Sequence, residues 1–125
     1  LLVEDNELNR EIAQMLLEDE KMIVTTAENG KEAVDIVSQS VPGRFDFIFM
    51  DIMMPVMDGL EATRQIRTLN RKDTKEIPII AMTANAFQDD IRGCIDAGMN
   101  AHIAKPIDSK KIEDTLQMVL KQKIQ

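Results

Sequence analysis

Short apolar runs alternate along the chain with segments of helical periodicity. The runs are rich in β-branched, Phe and Met residues, and apolar residues follow one another in them instead of alternating with polar ones. This pattern predicts strands that are covered on both faces of their sheet. The runs lie at residues 1–4 (LLVE), 22–27 (MIVTTA), 46–50 (DFIFM), 77–82 (IPIIAM) and 101–104 (AHIA).

Between the runs, apolar residues recur three or four positions apart, which is typical of one face of an α-helix. In the first helix this stripe is Leu8, Ile12, Met15 and Leu16, and its simplest interpretation is core packing. Gly98 suits the left-handed end of a later helix. Segment 70–76 is polar and is predicted to be a loop. The residues predicted to cap helix N-termini are Asn29, Asp58, Asn85 and Asp108.

Five strands alternating with five helices predict βαβ crossovers, and hence a parallel α/β sheet between two layers of helices. A length of 125 residues suits one domain, so we expect a single domain over residues 1–125. The first strand-like run already begins at Leu1, without an initiator methionine. We therefore expect a fragment of a longer protein whose first strand is truncated.

The composition narrows the classes of function. The net charge of −7 and the pI of about 4.7 argue against binding to nucleic acid or to an anionic membrane. No segment approaches the roughly 18 apolar residues that span a bilayer, and no signal peptide is recognisable. The lone Cys94 excludes an internal disulfide and is interpreted as a core residue. We expect a cytoplasmic domain, whether or not its parent protein is membrane-anchored.

Charged and hydroxyl side chains follow the predicted strands. Glu4 and Asp5 end the first strand, Asp51 follows the third, Thr83 the fourth and Lys105 the fifth. Because the carboxyl ends of parallel strands meet at one edge of a sheet, we expect these groups to converge there. Each residue alone has an ordinary structural explanation, as a helix-start acid, a strand-end cap or a surface lysine. Their combination favours a functional site.

The three carboxylates predict a site for a divalent cation. Two of them about 4 Å apart would repel by roughly 4 kcal/mol at an effective dielectric constant near 20, and a cation removes that cost. Mg²⁺ is the natural ion for oxygen ligands, with Mn²⁺ as an alternative, and no Cys/His cluster supports zinc. Lys105 and Thr83 complement a bound anion, so the site suits a phosphoryl group with Asp51 as its carboxylate nucleophile.

Over its full length the chain resembles the receiver domains of two-component response regulators. The matching motifs are LLVEDN, FDFIFMDIMMPVMDG, PIIAMTA and the pair Lys105-Pro106. The resemblance implies a flavodoxin-like (CheY-like) three-layer fold with strand order 2-1-3-4-5. It also implies a cis peptide bond before Pro106.

The resemblance assigns a role to each residue of the predicted site. Asp51 would take a phosphoryl group from a phosphohistidine. Its Mg²⁺ ligands would be Glu4, Asp5, Asp51 and the backbone carbonyl of Met53. The groups on the phosphoryl oxygens would be Thr83 and Lys105, and the residues that shape the loops would be Pro55, Gly59 and Pro106.

A conformational switch is also implied by the resemblance. Phosphorylation would draw Thr83 inward and let the side chain three positions before Lys105 turn inward. That residue is His102, the single histidine of the chain. A strand histidine without a switching role is an equally good interpretation.

The stretches LLVEDNELNREIA and AMTANAFQDDIRGCIDAGMNAHIAKPI are most similar to receivers of hybrid sensor histidine kinases. The implied partners are the phosphohistidine domain of a histidine kinase or a histidine phosphotransfer domain, docking near the first helix. No nucleic-acid binding or membrane insertion is expected of this domain. It would not be a conventional enzyme, since it would only phosphorylate itself and lose the group slowly, although its parent could be a histidine kinase.

Three alternatives remain at this stage. One is the receiver of a stand-alone or DNA-binding response regulator. Another is a magnesium-dependent aspartyl-phosphate hydrolase, which would need a second aspartate where Met53 stands. The third is a flavin- or nucleotide-binding domain, which would need a Gly- or hydroxyl-rich loop in place of residues 4–6.

Overall fold

In the computed structural model, which describes residues 1–84 and 88–124, five parallel strands form one sheet. The strand order is β2-β1-β3-β4-β5, as expected from the sequence. Each strand falls within, or one residue beyond, one of the predicted apolar runs. The strands are β1 Leu2–Val3, β2 Thr26–Ala27, β3 Ile48–Asp51, β4 Ile79–Thr83 and β5 Ala101–Ala104.

Six helices connect and flank the strands within the described residues, one more than predicted. Predicted N-caps are confirmed for three of them, since the Asn29, Asp58 and Asp108 side chains each accept a hydrogen bond from the backbone N–H three residues on. Gly98 has φ +108°, as predicted. Asn85 lies outside the described residues. The helices are α1 Glu7–Asp19, α2 Gly30–Gln39, α3 Gly59–Thr68, α4 Lys72–Glu76, α5 Gln88–Ala97 and α6 Ser109–Ile124.

The two faces of the sheet carry separate apolar cores. Because side chains alternate along a strand, Ile48 and Met50 of β3 enter one core and Phe49 enters the other. The first core also takes residues from α2, α3 and α5, and the second takes residues from α1 and α6. Both faces are therefore covered, as the unbroken apolar runs predicted. None of the helices in the described part of the chain is long and apolar enough to cross a membrane.

Two boundaries differ from the sequence-based expectation. The predicted second strand at 22–27 is a regular strand at Thr26 and Ala27 only, which lie opposite Leu2 and Val3 of β1. The predicted loop at 70–76 contains α4, a five-residue helix with a single buried side chain, Thr74. A helix that short has no apolar periodicity for a sequence pattern to reveal.

The apolar stripe of α1 was predicted to pack in the core, and this was wrong for most of it. Leu8, Ile12 and Met15 are 64%, 46% and 65% exposed, whereas Ala13 and Leu17 are buried. The helix is rotated by about one residue from the orientation that the large side chains suggest. Its small Ala13 faces the sheet, and a row of large apolar side chains faces solvent.

Candidate functional site

The carboxylates predicted to converge do lie together at the carboxyl edge of the sheet. β1 and β3 are neighbours in parallel register, with Val3 opposite Met50, so the next residues, Glu4 and Asp51, stand side by side. One carboxylate oxygen from each of Glu4, Asp5 and Asp51 lies within 4.8 Å of the others. Glu4 and Asp51 are 2% and 4% exposed, and Asp5 faces solvent. The cluster is thus a buried carboxylate pair with a third carboxylate at its entrance.

Lys105 places its ammonium between the two buried carboxylates. Its Nζ donates to Glu4 Oε2 and to Asp51 Oδ2, each at 3.2 Å. Its backbone N–H donates to the carbonyl oxygen of Thr83 at 2.7 Å, which holds the loop after β5 against the end of β4. The residues at three strand ends therefore meet at one point.

The cluster of Glu4, Asp5, Asp51 and Lys105 contains more negative than positive groups. Burial, and then the neighbouring Glu4 carboxylate, raise the pKa of Asp51, Lys105 lowers it, and the net result is a pKa of about 7. Burial lowers the pKa of Lys105, but attraction to Asp51 and Glu4 outweighs it and leaves the pKa above its ordinary value. One ammonium does not compensate three carboxylates, so the cluster has an excess of negative charge.

This donor set fits a hard divalent cation. Carboxylate oxygens are the ligands that Mg²⁺ and Ca²⁺ prefer, and the cluster contains neither sulfur nor imidazole. Asp51 carries a buried charge that its surroundings disfavour, and a bound cation would compensate it. The residues present therefore fit the metal that the sequence predicts.

The loop after Asp51 folds back tightly onto β3. Gly59 donates its N–H to the Ile52 carbonyl at 2.9 Å, and a Cβ at position 59 would overlap the carbonyl oxygen of Asp51. At the exposed tip, Pro55 accepts a bond from Met57, and Val56 has φ +70°. A β-branched residue rarely adopts a positive φ, so this loop is conformationally strained.

Four further residues of the predicted site are Thr83, His102, Pro106 and Met53. Thr83 is buried at the end of β4, next to the strand of Asp51. His102 is exposed on β5, an edge strand of the sheet, where its register partner is Ala81. The peptide bond between Lys105 and Pro106 is cis, as the family resemblance implies. Met53 lies on the loop after Asp51, and its side chain is 80% exposed.

Two basic residues that support the site were not predicted. Arg10 donates to the carbonyl of Glu4 at 2.9 Å. Lys111 donates its Nζ to the carbonyls of Ala104 at 3.2 Å and Pro106 at 2.8 Å. The sequence did contain a signal for both residues. Each is a basic residue in the first turn of a helix that follows a predicted site loop, and the helix dipole disfavours a positive charge there.

The comparisons with known proteins agree with this geometry. The family model for the response regulator receiver domain matches residues 1–117. A probable histidine kinase 2 from Oryza sativa subsp. indica is 41% identical over 98% of this chain, which spans 13% of that relative. Hybrid signal transduction histidine kinase B from Dictyostelium discoideum is 42% identical over 97% of the chain, which spans 6% of the kinase. The chain thus spans a small part of the curated relatives it matches.

Solved structures show the same fold. The receiver domain of a sensor histidine kinase from Pseudomonas aeruginosa PAO1, solved with a magnesium ion coordinated in its active-site cleft, is 38% identical with a TM-score of 0.84. The match covers 96% of this chain and 94% of that one. A chemotaxis response regulator of Vibrio cholerae has a TM-score of 0.84 at 29% identity and covers 94% of each chain. The chain therefore belongs to the family of response regulator receiver domains, and it is homologous to those of hybrid histidine kinases.

Proposed function

We propose that Asp51 accepts a phosphoryl group from a phosphohistidine, with Mg²⁺ held by Glu4, Asp5, Asp51 and the backbone carbonyl of Met53. The observation that carries this proposal is the buried pair of carboxylates bridged by Lys105. A purely structural cluster would match each acid with a base, whereas this one keeps a surplus of negative charge at an accessible strand end. Such a surplus suits an ion and a phosphoryl group.

In the transfer, an Asp51 carboxylate oxygen forms a bond to phosphorus while the bond from phosphorus to the imidazole nitrogen breaks. The electron pair of the broken bond stays on the imidazole nitrogen. A ring with a proton on its other nitrogen leaves as neutral imidazole, and a ring without one takes a proton from water. Bound Mg²⁺ supplies positive charge beside the carboxylates and the phosphoryl oxygens. Asp51 must be ionised to attack, and a bound cation would favour its ionised form by lowering a pKa that burial and the neighbouring Glu4 raise to about 7.

Lys105 and Thr83 contribute to the phosphorylated state. The Lys105 ammonium already contacts the Asp51 oxygen, so a small movement would place it against a phosphoryl oxygen. Thr83, buried at the end of the adjacent strand, would donate a hydrogen bond from its hydroxyl to another phosphoryl oxygen. We propose that His102 turns inward from its exposed position on β5 when Thr83 moves, which would report phosphorylation to a partner.

The partner surface lies on α1. Leu8, Ile12 and Met15 form an exposed apolar row on this helix, one end of which adjoins the carboxylates. A cavity of about 350 Å³ lies between α1 and the turn after β5, and its lining includes Ile12, Pro106 and Ile107. We propose that a phosphohistidine-bearing domain of a histidine kinase or a histidine phosphotransfer domain covers this surface. We further propose that the parent is a hybrid kinase, as some of the matching relatives are, and that the domain works in the cytoplasm.

The test is phosphorylation of the isolated chain. It is incubated with Mg²⁺ and phosphoramidate, a small donor with a bond between phosphorus and nitrogen, and its intact mass is recorded. We expect one phosphoryl adduct that is absent without Mg²⁺ and absent in Asp51→Asn. Asp35→Asn, which removes an exposed carboxylate from α2, is the matched control and should retain the adduct.

Two results would contradict the proposal. An adduct that persists in Asp51→Asn would place the acceptor elsewhere. Continuous turnover of a phosphomonoester would instead favour the hydrolase alternative. We expect no such turnover, because an exposed apolar side chain occupies position 53.

A further inference from the structure

Lys111 connects the first turn of α6 to the turn that carries Lys105. Its backbone N–H donates to the cap residue Asp108 at 2.8 Å. Its side chain runs back and donates to the carbonyls of Ala104 and Pro106 at 3.2 and 2.8 Å. These two carbonyls belong to the residues immediately before and after Lys105. One ammonium therefore holds the backbone on both sides of the lysine that contacts the phosphoacceptor.

The position of Lys111 is unusual within this chain. It is the third residue after the cap of its helix, and the corresponding residues of α2 and α3 are Glu32 and Glu61. An acid is favoured there because a helix N-terminus carries partial positive charge, and a cation is disfavoured for the same reason. A helix that breaks this local preference usually has a compensating contact. Here the compensation is the pair of hydrogen bonds to the turn.

The backbone of Lys105 is consequently fixed by three bonds. Its own N–H donates to the Thr83 carbonyl at 2.7 Å, and Lys111 holds the carbonyls on either side. From this fixed backbone the side chain reaches Glu4 and Asp51, each at 3.2 Å. Lys111 is not among the residues that contact either carboxylate in the described structure, so a hydrogen-bonded path from it to the site runs through Lys105.

We infer that Lys111 is a positioning residue for phosphoryl transfer, which it supports by holding Lys105 in reach of the Asp51 oxygen. The inference rests on the proposed function of Asp51. A loosened turn lets the Lys105 side chain leave the carboxylates. Phosphoryl transfer then proceeds without the Lys105 ammonium beside the Asp51 oxygen. The metal ligands are on other strand ends and keep their positions.

The experiment measures the initial rate of adduct formation with phosphoramidate at a series of Mg²⁺ concentrations. Lys111→Met keeps the length of the aliphatic stem and removes the donor. We expect its maximal rate to fall about five- to tenfold, because misplacing a group that acts in the transition state costs rate. The Mg²⁺ concentration for half-maximal rate should stay unchanged. Lys111→Arg, which retains donors for the carbonyls, should recover the rate to within about twofold.

The matched control is Lys110→Met. Lys110 lies in the same helical turn and carries the same charge, but no hydrogen bond or ion pair is found for its side chain within the part of the chain that the structure describes. Its replacement should leave the rate unchanged. Lys111→Gln, with a shorter neutral donor, should be intermediate and serves if Lys111→Met fails to fold by circular dichroism.

Three outcomes would overturn the inference. The rate of Lys111→Met could remain near that of the wild type. Lys110→Met could slow the reaction equally, which would indicate a general charge effect. The half-maximal Mg²⁺ concentration could rise together with the loss of rate, which would indicate that the whole edge of the sheet has loosened. Absence of any adduct in the wild type would instead contradict the proposed function, so the two failures are distinguishable.

Discussion

Two regions of this domain contain buried or half-buried charge, and they are organised in opposite ways. At the carboxyl edge of the sheet, Glu4 and Asp51 are buried with one ammonium between them. At the far end of α3, Arg67 donates to the carbonyls of Gly98 and Thr74 and to the Asn100 side chain, with distances from 2.7 to 3.1 Å.

The difference indicates which polar groups serve the fold and which serve function. The Arg67 guanidinium has its donors matched to oxygen acceptors, namely the Gly98 carbonyl just after α5, where the helix dipole favours a cation, the Thr74 carbonyl in α4 and the Asn100 side chain. The two buried carboxylates share one ammonium, and burial together with the neighbouring Glu4 raises the pKa of Asp51. Groups that hold the chain together should lower stability when removed, and groups kept for a ligand should not.

The largest expected effect on stability comes from removing the hydrogen bonds of Arg67, the structural region of this comparison. Arg67→Met should lower the free energy of unfolding by about 2–3 kcal/mol, because it leaves several partly buried carbonyl groups without their donor. Urea unfolding followed by circular dichroism measures this, since the chain has no tryptophan or tyrosine for fluorescence. Arg64→Met, an exposed control one turn earlier in α3, should change stability by less than about 0.5 kcal/mol. A mild Arg67 variant would refute the structural assignment.

Removal of the acceptor carboxylate should change the free energy of unfolding in the opposite direction. Without metal at pH 8, Asp51→Asn should raise the free energy of unfolding by about 2 kcal/mol, because a buried charge is replaced by a neutral amide of similar shape. Millimolar Mg²⁺ should stabilise the wild type far more than the variant. Unfolding of both proteins in EDTA and in Mg²⁺ tests this expectation, and a destabilised variant in EDTA would show that Asp51 serves the fold.

The pH dependence of that difference follows from the pKa of Asp51. The folded protein holds a proton on Asp51 up to about pH 7, whereas the unfolded chain loses it near pH 4, so folding binds a proton between these values. Stability of the wild type relative to Asp51→Asn should therefore be greatest near pH 4 and fall as pH rises to 7. Above pH 7 the difference should be level. A difference that is constant from pH 4 to 8 in EDTA would contradict the raised pKa.

The sequence predicts one end of this comparison much better than the other. Strand ends follow from apolar runs, so Glu4, Asp51 and Lys105 can be placed at a common edge without coordinates. Arg67 meets Gly98 from 31 residues away, and no local pattern marks that contact. The same holds for α1, where the choice between Ala13 and Met15 for the core depends on how the helix packs against the sheet.

A smaller change in stability is expected from relieving strain in the loop after Asp51, which belongs to the functional region. Val56 is a non-glycine residue at φ +70° and is 79% exposed, so its side chain gains little from the fold. Asparagine tolerates this conformation, and Val56→Asn should stabilise the domain by about 1 kcal/mol. The control is Val41→Asn, an exposed loop valine outside the positive-φ residues of the described chain, which should have no comparable effect. Equal responses of the two variants would remove the argument for strain.

The smallest effect concerns Asp73. Its carboxylate has a guanidinium partner of its own, whereas Asp51 shares one ammonium with another carboxylate. Its hydrogen bonds from Arg71, with a further bond from the Gly43 N–H, lower the pKa of Asp73 to about 2. A lowered pKa means that the unfolded chain binds the proton first, so this contribution to stability is present above about pH 4 and disappears as pH falls towards 2. The stability gap between wild type and Asp73→Asn, measured by urea unfolding, should accordingly close on acidification. Asp51 and Asp73 would then give pH slopes of opposite sign in separate windows, and equal signs would remove the distinction between a carboxylate kept for a ligand and one that serves the fold.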